Sequence, residues 1–320
     1  MVSGLGLPDS QSVAYFVGPS RAPWVRVNDT LKIRTILVPV LLADTSRHVL
    51  RQAAWLARRL DADVILLHVV PAPCYQAGLL SGARAAAADD LHALMVGDAQ
   101  TELDETEWPD FEGIPVKRML RRGDPADEIV KAARELNVGM ILMSTHGHGA
   151  FYRFLLGSVA AKVLHEVECP VWTGVHLEEA TASEFSVRRI LCSIDLSAHC
   201  HHTLELAASM AAALDAKLTL VHVTVGMEFY GPGGYQVDAV WKNEILGFAN
   251  KAIASLQKHA GTDADVIIES GDATHLLNDA AKRSNADVLV IGHIPGRSHL
   301  GDNGNGYGII SASLIPVLSV

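Results

Sequence analysis

Ile141-Leu-Met-Ser-Thr-His-Gly-His-Gly-Ala-Phe-Tyr-Arg-Phe-Leu-Leu-Gly-Ser158 is the stretch on which the reading of the chain turns. The apolar run from Gly139 to Met143 stops at small and polar residues, and Ser158-Val-Ala-Ala-Lys-Val-Leu-His165 then starts a helix-forming segment. The order is strand, loop, helix. Ser158 is the expected helix N-cap, which leaves its hydroxyl and the free N–H groups of the following residues facing the loop. Unpaired amides and the helix dipole together place roughly half a positive charge at such a terminus, so it attracts anions. Gly147 and Gly157 have no Cβ to keep a phosphate off the backbone.

Commoner phosphate loops do not fit. No Gly-Lys-Ser/Thr follows Gly147, and Gly147-x-Gly149 is not completed by a third glycine. What remains is Gly147, nine residues, then Gly157-Ser158, with Ser144-Thr145 just upstream. This pattern resembles the universal stress protein family, whose ATP-binding members carry Gly-x2-Gly-x9-Gly-Ser/Thr after the fourth strand. Ser144 stands where the family has its first glycine.

Working outward, apolar runs at Ile36 to Val40, Val64 to Val70 and Ile114 to Leu120 precede the fourth strand, and Cys169-Pro-Val-Trp-Thr173 supplies a fifth. Leu50, Ala53, Ala57 and Leu60 share one face of a helix, and a long amphipathic segment covers about Arg84 to Thr106. Asp124-Pro125, with Asp127 and Glu128 in the first turn, is a strong helix start whose inner face holds Ile129, Ala133 and Leu136.

The second half repeats the first. Ile36-Leu37 returns as Ile190-Leu191, Leu60-Asp61-Ala62 as Leu214-Asp215-Ala216, and Leu67-His68-Val69 as Val221-His222-Val223, a shift of 154. Gly123-Asp124 returns as Gly271-Asp272 and Met140 to Met143 as Val288 to Ile291, a shift of 148; Pro170-Val171 matches Pro316-Val317, a shift of 146. Each unit is too long for a solenoid repeat, so these are two copies of one α/β domain. The division is 1–32 as an N-terminal extension, 33–176 as the first domain, 177–186 as a linker and 187–320 as the second domain. In the extension Val13 to Val17 is a candidate strand, with no function assigned.

Continuous Val/Ile/Leu strands alternating with helices predict parallel sheets covered on both faces. The resemblance covers almost everything from Ile33 to Val320 and implies two tandem doubly wound domains of the adenine nucleotide alpha hydrolase-like kind, each with a five-stranded parallel sheet. It also implies pairing of the two domains through their last strands, an intramolecular pseudo-dimer in which Val171-Trp172 meets Pro316-Val317-Leu318, with homodimerisation as a further option.

For function, the resemblance implies a stress-response regulator that binds ATP, optionally with Mg, in its first domain. The cofactor-binding positions that match the motif are Val40, Val69, Met143, Ser144, Thr145, Gly147, Gly157 and Ser158. The family's base-binding Asp falls at Leu41, with Asp44 three residues later. The second half keeps that Asp as Asp195, but has His293-Ile-Pro295 where the family has its glycine, and Pro295 lacks an N–H. The segment Gly301 to Gly308 is expected to be flexibly disordered, with a loop rebuilt around some other ligand as the alternative; it lacks the oxygen ligands and the Glu of a calcium loop.

No catalytic residue is assigned. His146, His148, Arg122 and Arg153 lie near enough to the loop to be weighed for weak ATP hydrolysis, which is one alternative; a structural tandem protein that binds no nucleotide is another. No metal is assigned either. Cys192, His199 and His222 are the candidates for a zinc ion, within a group that includes Asp195, Cys200, His201, His202 and His293. Against that stands the reading of His222, like His68, as a hydrogen-bonded core residue.

Composition excludes other classes. With 320 residues, 49% of them hydrophobic, the chain can bury two cores. Lys plus Arg is 26 against 36 Asp plus Glu, and the net charge of −10 repels nucleic acid and anionic membranes. Cys74, Cys169, Cys192 and Cys200 form no disulfide framework, and no secretory or membrane-spanning run is evident, so the expected location is cytoplasmic.

Overall fold

A computed structural model of the chain describes residues 25–27, 30–42, 47–71, 83–144, 156–174, 185–197, 199–224, 239–292 and 306–320. A short antiparallel hairpin comes first, β1 (Val25–Val27) with β2 (Thr30–Lys32). The first half follows as β3 (Thr35–Pro39), α1 (Arg47–Leu60), β4 (Asp63–Pro71), α2 (Ala83–Glu105), β5 (Val116–Gly123), α3 (Pro125–Glu135), β6 (Met140–Ser144), α4 (Ser158–Glu166) and β7 (Val171–Gly174). The second half runs β8 (Arg189–Ser193), α5 (Cys200–Leu214), β9 (Lys217–Thr224), α6 (Ala239–Ala260), β10 (Asp265–Ser270), α7 (Ala273–Ser284), β11 (Val288–Ile291), α8 (Gly306–Ala312) and β12 (Val317–Ser319).

Ten strands form one sheet in the order β10-β9-β8-β11-β12-β7-β6-β3-β4-β5. Every neighbouring pair is parallel except β7 with β12, where Trp172 faces Leu318 and Thr173 faces Val317 across an antiparallel joint. Each half is therefore a doubly wound five-stranded parallel sheet, and the joint makes the two halves one layer. The inner strands are apolar on both faces, as a sheet covered on both sides requires: Val64, Ile65, Leu66 and Leu67 of β4 are all buried.

Two cores flank the sheet and both cross the joint. On one face α1 buries Leu50, Ala53 and Ala57 beside α5, which buries Leu204, Ala207 and Met210. On the other, α3 and α4 of the first half lie in one cluster with α7 and α8 of the second, and the Tyr307 hydroxyl donates to the Ala161 carbonyl at 3.3 Å. Trp172 is fully buried at the joint, its Nε1–H donating 2.8 Å to Gln52 Oε1.

The duplication holds bond by bond. Val40 N–H donates to Leu67 O at 2.9 Å as Ile194 N–H donates to Val221 O at 2.8 Å, both displaced by 154. Asp124 Oδ1 accepts from Asp127 N at 3.1 Å as Asp272 Oδ1 accepts from His275 N at 2.9 Å, both displaced by 148. Asp61 and Asp215, Asn137 and Asn285, and Gly123 and Gly271 all take positive φ at the matching helix or strand ends.

Several expectations shift. The third strand of the first half begins two residues later and runs three residues further, Val116–Gly123. In the extension, residues 25–27 and 30–32 pair as the β1–β2 hairpin, a strand pair other than the candidate at Val13 to Val17, and β2 lies against α5 of the second half. Two three-residue strands are too short to leave a periodic signal. Gly306, Tyr307 and Gly308, expected to be disordered, begin α8. Val13 to Val17 lie outside the described residues.

Candidate functional site

In an open parallel sheet, a crevice opens beyond the carboxyl ends of the strands at the point where the strand order reverses. In the first half that point is between β3 and β6, since β4 continues the sheet on one side of β3 and β6 on the other. Val40 and Leu41 leave β3 here, Ser144 ends β6, and α4 starts after the loop. Val69 and Met143 are buried, so what they have to offer a ligand is backbone; Val40 and Ser144 are half-buried.

His68 fixes the end of β3. Its Nδ1 lies 2.9 Å from the Val40 carbonyl, and His222 repeats the contact at 2.6 Å from the Ile194 carbonyl. With the carbonyl as acceptor, Nδ1 carries the proton in both rings. These bonds hold the residue just past β3 against β4, and the residue just past β8 against β9.

The helix beyond the loop starts one residue earlier than the sequence suggested. Gly157, not Ser158, is the N-cap of α4, and Ser158 is its first helical residue. The cap is set by backbone angles: Gly157 has φ −62° and ψ 147°, an extended conformation open to any residue. Among the described residues no side chain caps α4, whereas Asp124 and Asp272 cap α3 and α7. The first-turn amides of α4 are thus left for another acceptor, and Ser158 is exposed. The middle and the end of α4 are tied to α3: Lys162 Nζ lies 2.5 Å from Asp127 Oδ1 and 3.4 Å from Asp124 Oδ1, and Arg134 donates to the Glu166 carbonyl at 2.7 Å. The Asp127 hydrogen bond raises the pKa of Lys162, and the Asp127 amide foremost lowers that of Asp124.

Of the remaining positions, Thr145 and Gly147 lie outside the described residues, as do His146, His148, Arg153 and Asp44. Arg122 is exposed at the end of β5, and Leu41, in the place of the expected Asp, is 51% exposed.

The second switch point, between β8 and β11, differs. Asp195 Oδ1 accepts the Ser197 N–H at 3.0 Å, next to Leu196 at φ 58°, so this carboxylate organises its own turn. A Cβ on Gly292 would lie 2.9 Å from Thr203 Oγ1, so α5 closes on the end of β11 where Ser144 stands in the first half. Sequence spacing gave no sign of this approach between residues far apart in the chain. His293 and Pro295 are outside the described residues.

Cys192, His199 and His222 are not brought together as ligands; among the described residues no group of three or more His, Cys, Asp or Glu is placed to hold an ion. Cys192 is fully buried and burial raises its pKa; burial likewise pushes Cys200 up to about 11, which disfavours the thiolate a metal needs. His222 is engaged with Ile194, and His199 is exposed. His201 pairs instead with Glu205 at 3.1 Å and meets the His259 ring edge-on. Among the described residues no helix is long and apolar enough to cross a membrane.

Comparison with known proteins gives concordant matches. The sequence model of the Universal stress protein family matches twice, at residues 32–173 and 186–304. A universal stress protein of Methanocaldococcus jannaschii is 28% identical over 143 residues, 43% of this chain and 79% of that protein. Universal stress protein A of Salmonella typhi is 32% identical over 108 residues, 33% of this chain and 75% of its own length. The crystal structure of a universal stress protein from Archaeoglobus fulgidus superposes with a TM-score of 0.62 at 21% identity, covering 91% of this chain and 97% of that one, a likeness of fold.

Proposed function

The chain belongs to the universal stress protein family, and on that premise we propose that its first half, 33–176, binds an adenine nucleotide, ATP, in the crevice between β3 and β6. The observation that carries the proposal is the start of α4: an N-terminus that no described side chain caps, headed by a glycine whose backbone angles do not require glycine, just beyond the strand-order reversal. A residue that needs no special torsion and bears no Cβ leaves open space, which is what a phosphate approaching the amides needs.

In this reading the backbone at Val40 and Val69 lines the base and sugar end. Met143, Ser144, Thr145 and Gly147 form the near wall of the phosphate loop, and Gly157 and Ser158 donate their amides to the phosphates. Mg would accompany those phosphates. His68 is a positioning residue that keeps the Val40 carbonyl in register. On a protein of net charge −10 an anion is held only by local donors of this kind. The second half, 187–320, braces the first across the β7–β12 joint, and its own crevice, narrowed by Thr203, is not a nucleotide site. The protein acts in the cytoplasm as a nucleotide-responsive regulator of a stress response, through protein contacts that do not include nucleic acid or membrane. Titration calorimetry with ATP tests the assignment, with Gly157→Val as the variant that fills the space while its φ and ψ stay accessible to valine.

A further inference from the structure

At the other edge of the sheet, by the amino ends of the strands, α1, residues 185–188 and the end of α5 enclose a cleft of about 670 Å3. Its position separates it from the switch points, which lie at the carboxyl ends. Arg51, Arg58, Arg59 and Arg188 line it together with Asp110 and Asp215. Four arginines thus share the lining with two aspartates in a chain whose net charge is −10.

The concentration is built by the helix. Arg51, Trp55, Arg58 and Arg59 recur at helical spacing on the face of α1 opposite Ala53 and Ala57, which are buried in the core. Two of the charges are held in place. Arg58 donates to the Asp110 carbonyl at 2.7 Å and the Glu112 carbonyl at 3.2 Å, and the Arg59 guanidinium lies 5.5 Å from the centre of the Trp55 ring, which Phe185 meets edge-on at 5.3 Å. Among the described residues the arginines that pair with carboxylates are Arg121, Arg189 and Arg283, none of them in the cleft. Arg51 and Arg188 make no side-chain bond there with any described residue.

We propose that this cleft between the halves binds a small ligand carrying two or more phosphate groups. Guanidinium forks match phosphate oxygens in pairs, and anchored forks lose little freedom on binding. The volume lies in the range of small-molecule sites. Trp55 and Phe185 form an aromatic wall on which the Arg59 guanidinium is held. The site draws on α1 of the first half and on the end of α5 of the second, so an occupant bridges the two.

Inorganic tripolyphosphate, titrated by calorimetry into the full chain at low ionic strength, is the direct probe. The expected result is saturable binding that weakens steeply with added salt, by roughly tenfold or more in the double variant Arg51→Gln/Arg188→Gln, and that is unchanged in Gly157→Val. Both arginines are exposed, so the double variant should unfold at the wild-type temperature, and a thermal scan checks this. Absence of binding to the wild type, or equal binding to the double variant, overturns the proposal. So does loss in Gly157→Val with retention in the arginine variant, which would assign the phosphates to the switch point. Gly157→Val blocks the nucleotide crevice and leaves this cleft intact, so failure here and failure of the ATP assignment are read apart.

Discussion

His222 is 8% exposed, and its Nδ1 sits 2.6 Å from the Ile194 carbonyl. His222→Leu keeps the volume but orphans a buried carbonyl, and should lower the unfolding free energy by about 1–3 kcal/mol, measured by urea denaturation. His68→Leu should cost less, because its site is half-buried and water can replace the lost donor. This pair was legible in the sequence, since Leu67-His68-Val69 and Val221-His222-Val223 stand at the same place in both repeats. The contact of Thr203 with Gly292 was not, because only the folded sheet brings the start of α5 over the end of β11. The same holds for Cys192, which shares a short stretch with several histidines in sequence but points its thiol into the core. Proximity along the chain suggested a metal group; burial decided otherwise for the thiol.

Among the helices, α3 and α4 show opposite ways of satisfying an N-terminus. Asp124 closes α3, so Asp124→Ala should destabilise the protein by about 0.5–2 kcal/mol, less if water substitutes at this exposed site. The pH dependence has a definite sign. The folded-state pKa of Asp124 lies below its ordinary value of 3.8, so its contribution is complete above 3.8 and is lost as the pH falls through the lower folded value. The stability gap between wild type and Asp124→Ala, measured by denaturant titration, should therefore be constant near neutrality and close only in strong acid. The start of α3 was plain in Asp124-Pro125, a capping residue followed by a ring that pre-sets φ. The start of α4 was misjudged by one residue, because serine is the better capping side chain while the backbone turns at Gly157. The β1–β2 hairpin and the helical Gly306–Ala312 carry no periodic pattern at all; tertiary context sets them.

For the molecule as a whole, the repeat shifts of 154, 148 and 146 made the duplication and the strand order readable, and the register of β7 with β12 joins the copies where the matching Pro-Val pairs had suggested. The arginine cleft was hidden, because its walls come from α1, the connection between the halves and α5, segments with no shared motif. A core continuous across the joint predicts that the halves unfold together. Trp172→Ala, which empties a fully buried site at the joint and frees Gln52, should cost about 3–5 kcal/mol and lower one calorimetric transition rather than split off a second. The central claim, that the first half holds a nucleotide on the open start of α4, meets its most direct test in isothermal titration of the purified chain and of Gly157→Val with ATP. The predicted result, in the Arg51→Gln/Arg188→Gln background that removes the second phosphate cleft, is one saturable site per chain and its loss when Gly157→Val is added without a change in melting temperature. Equal binding with and without Gly157→Val, or none without it, would contradict it.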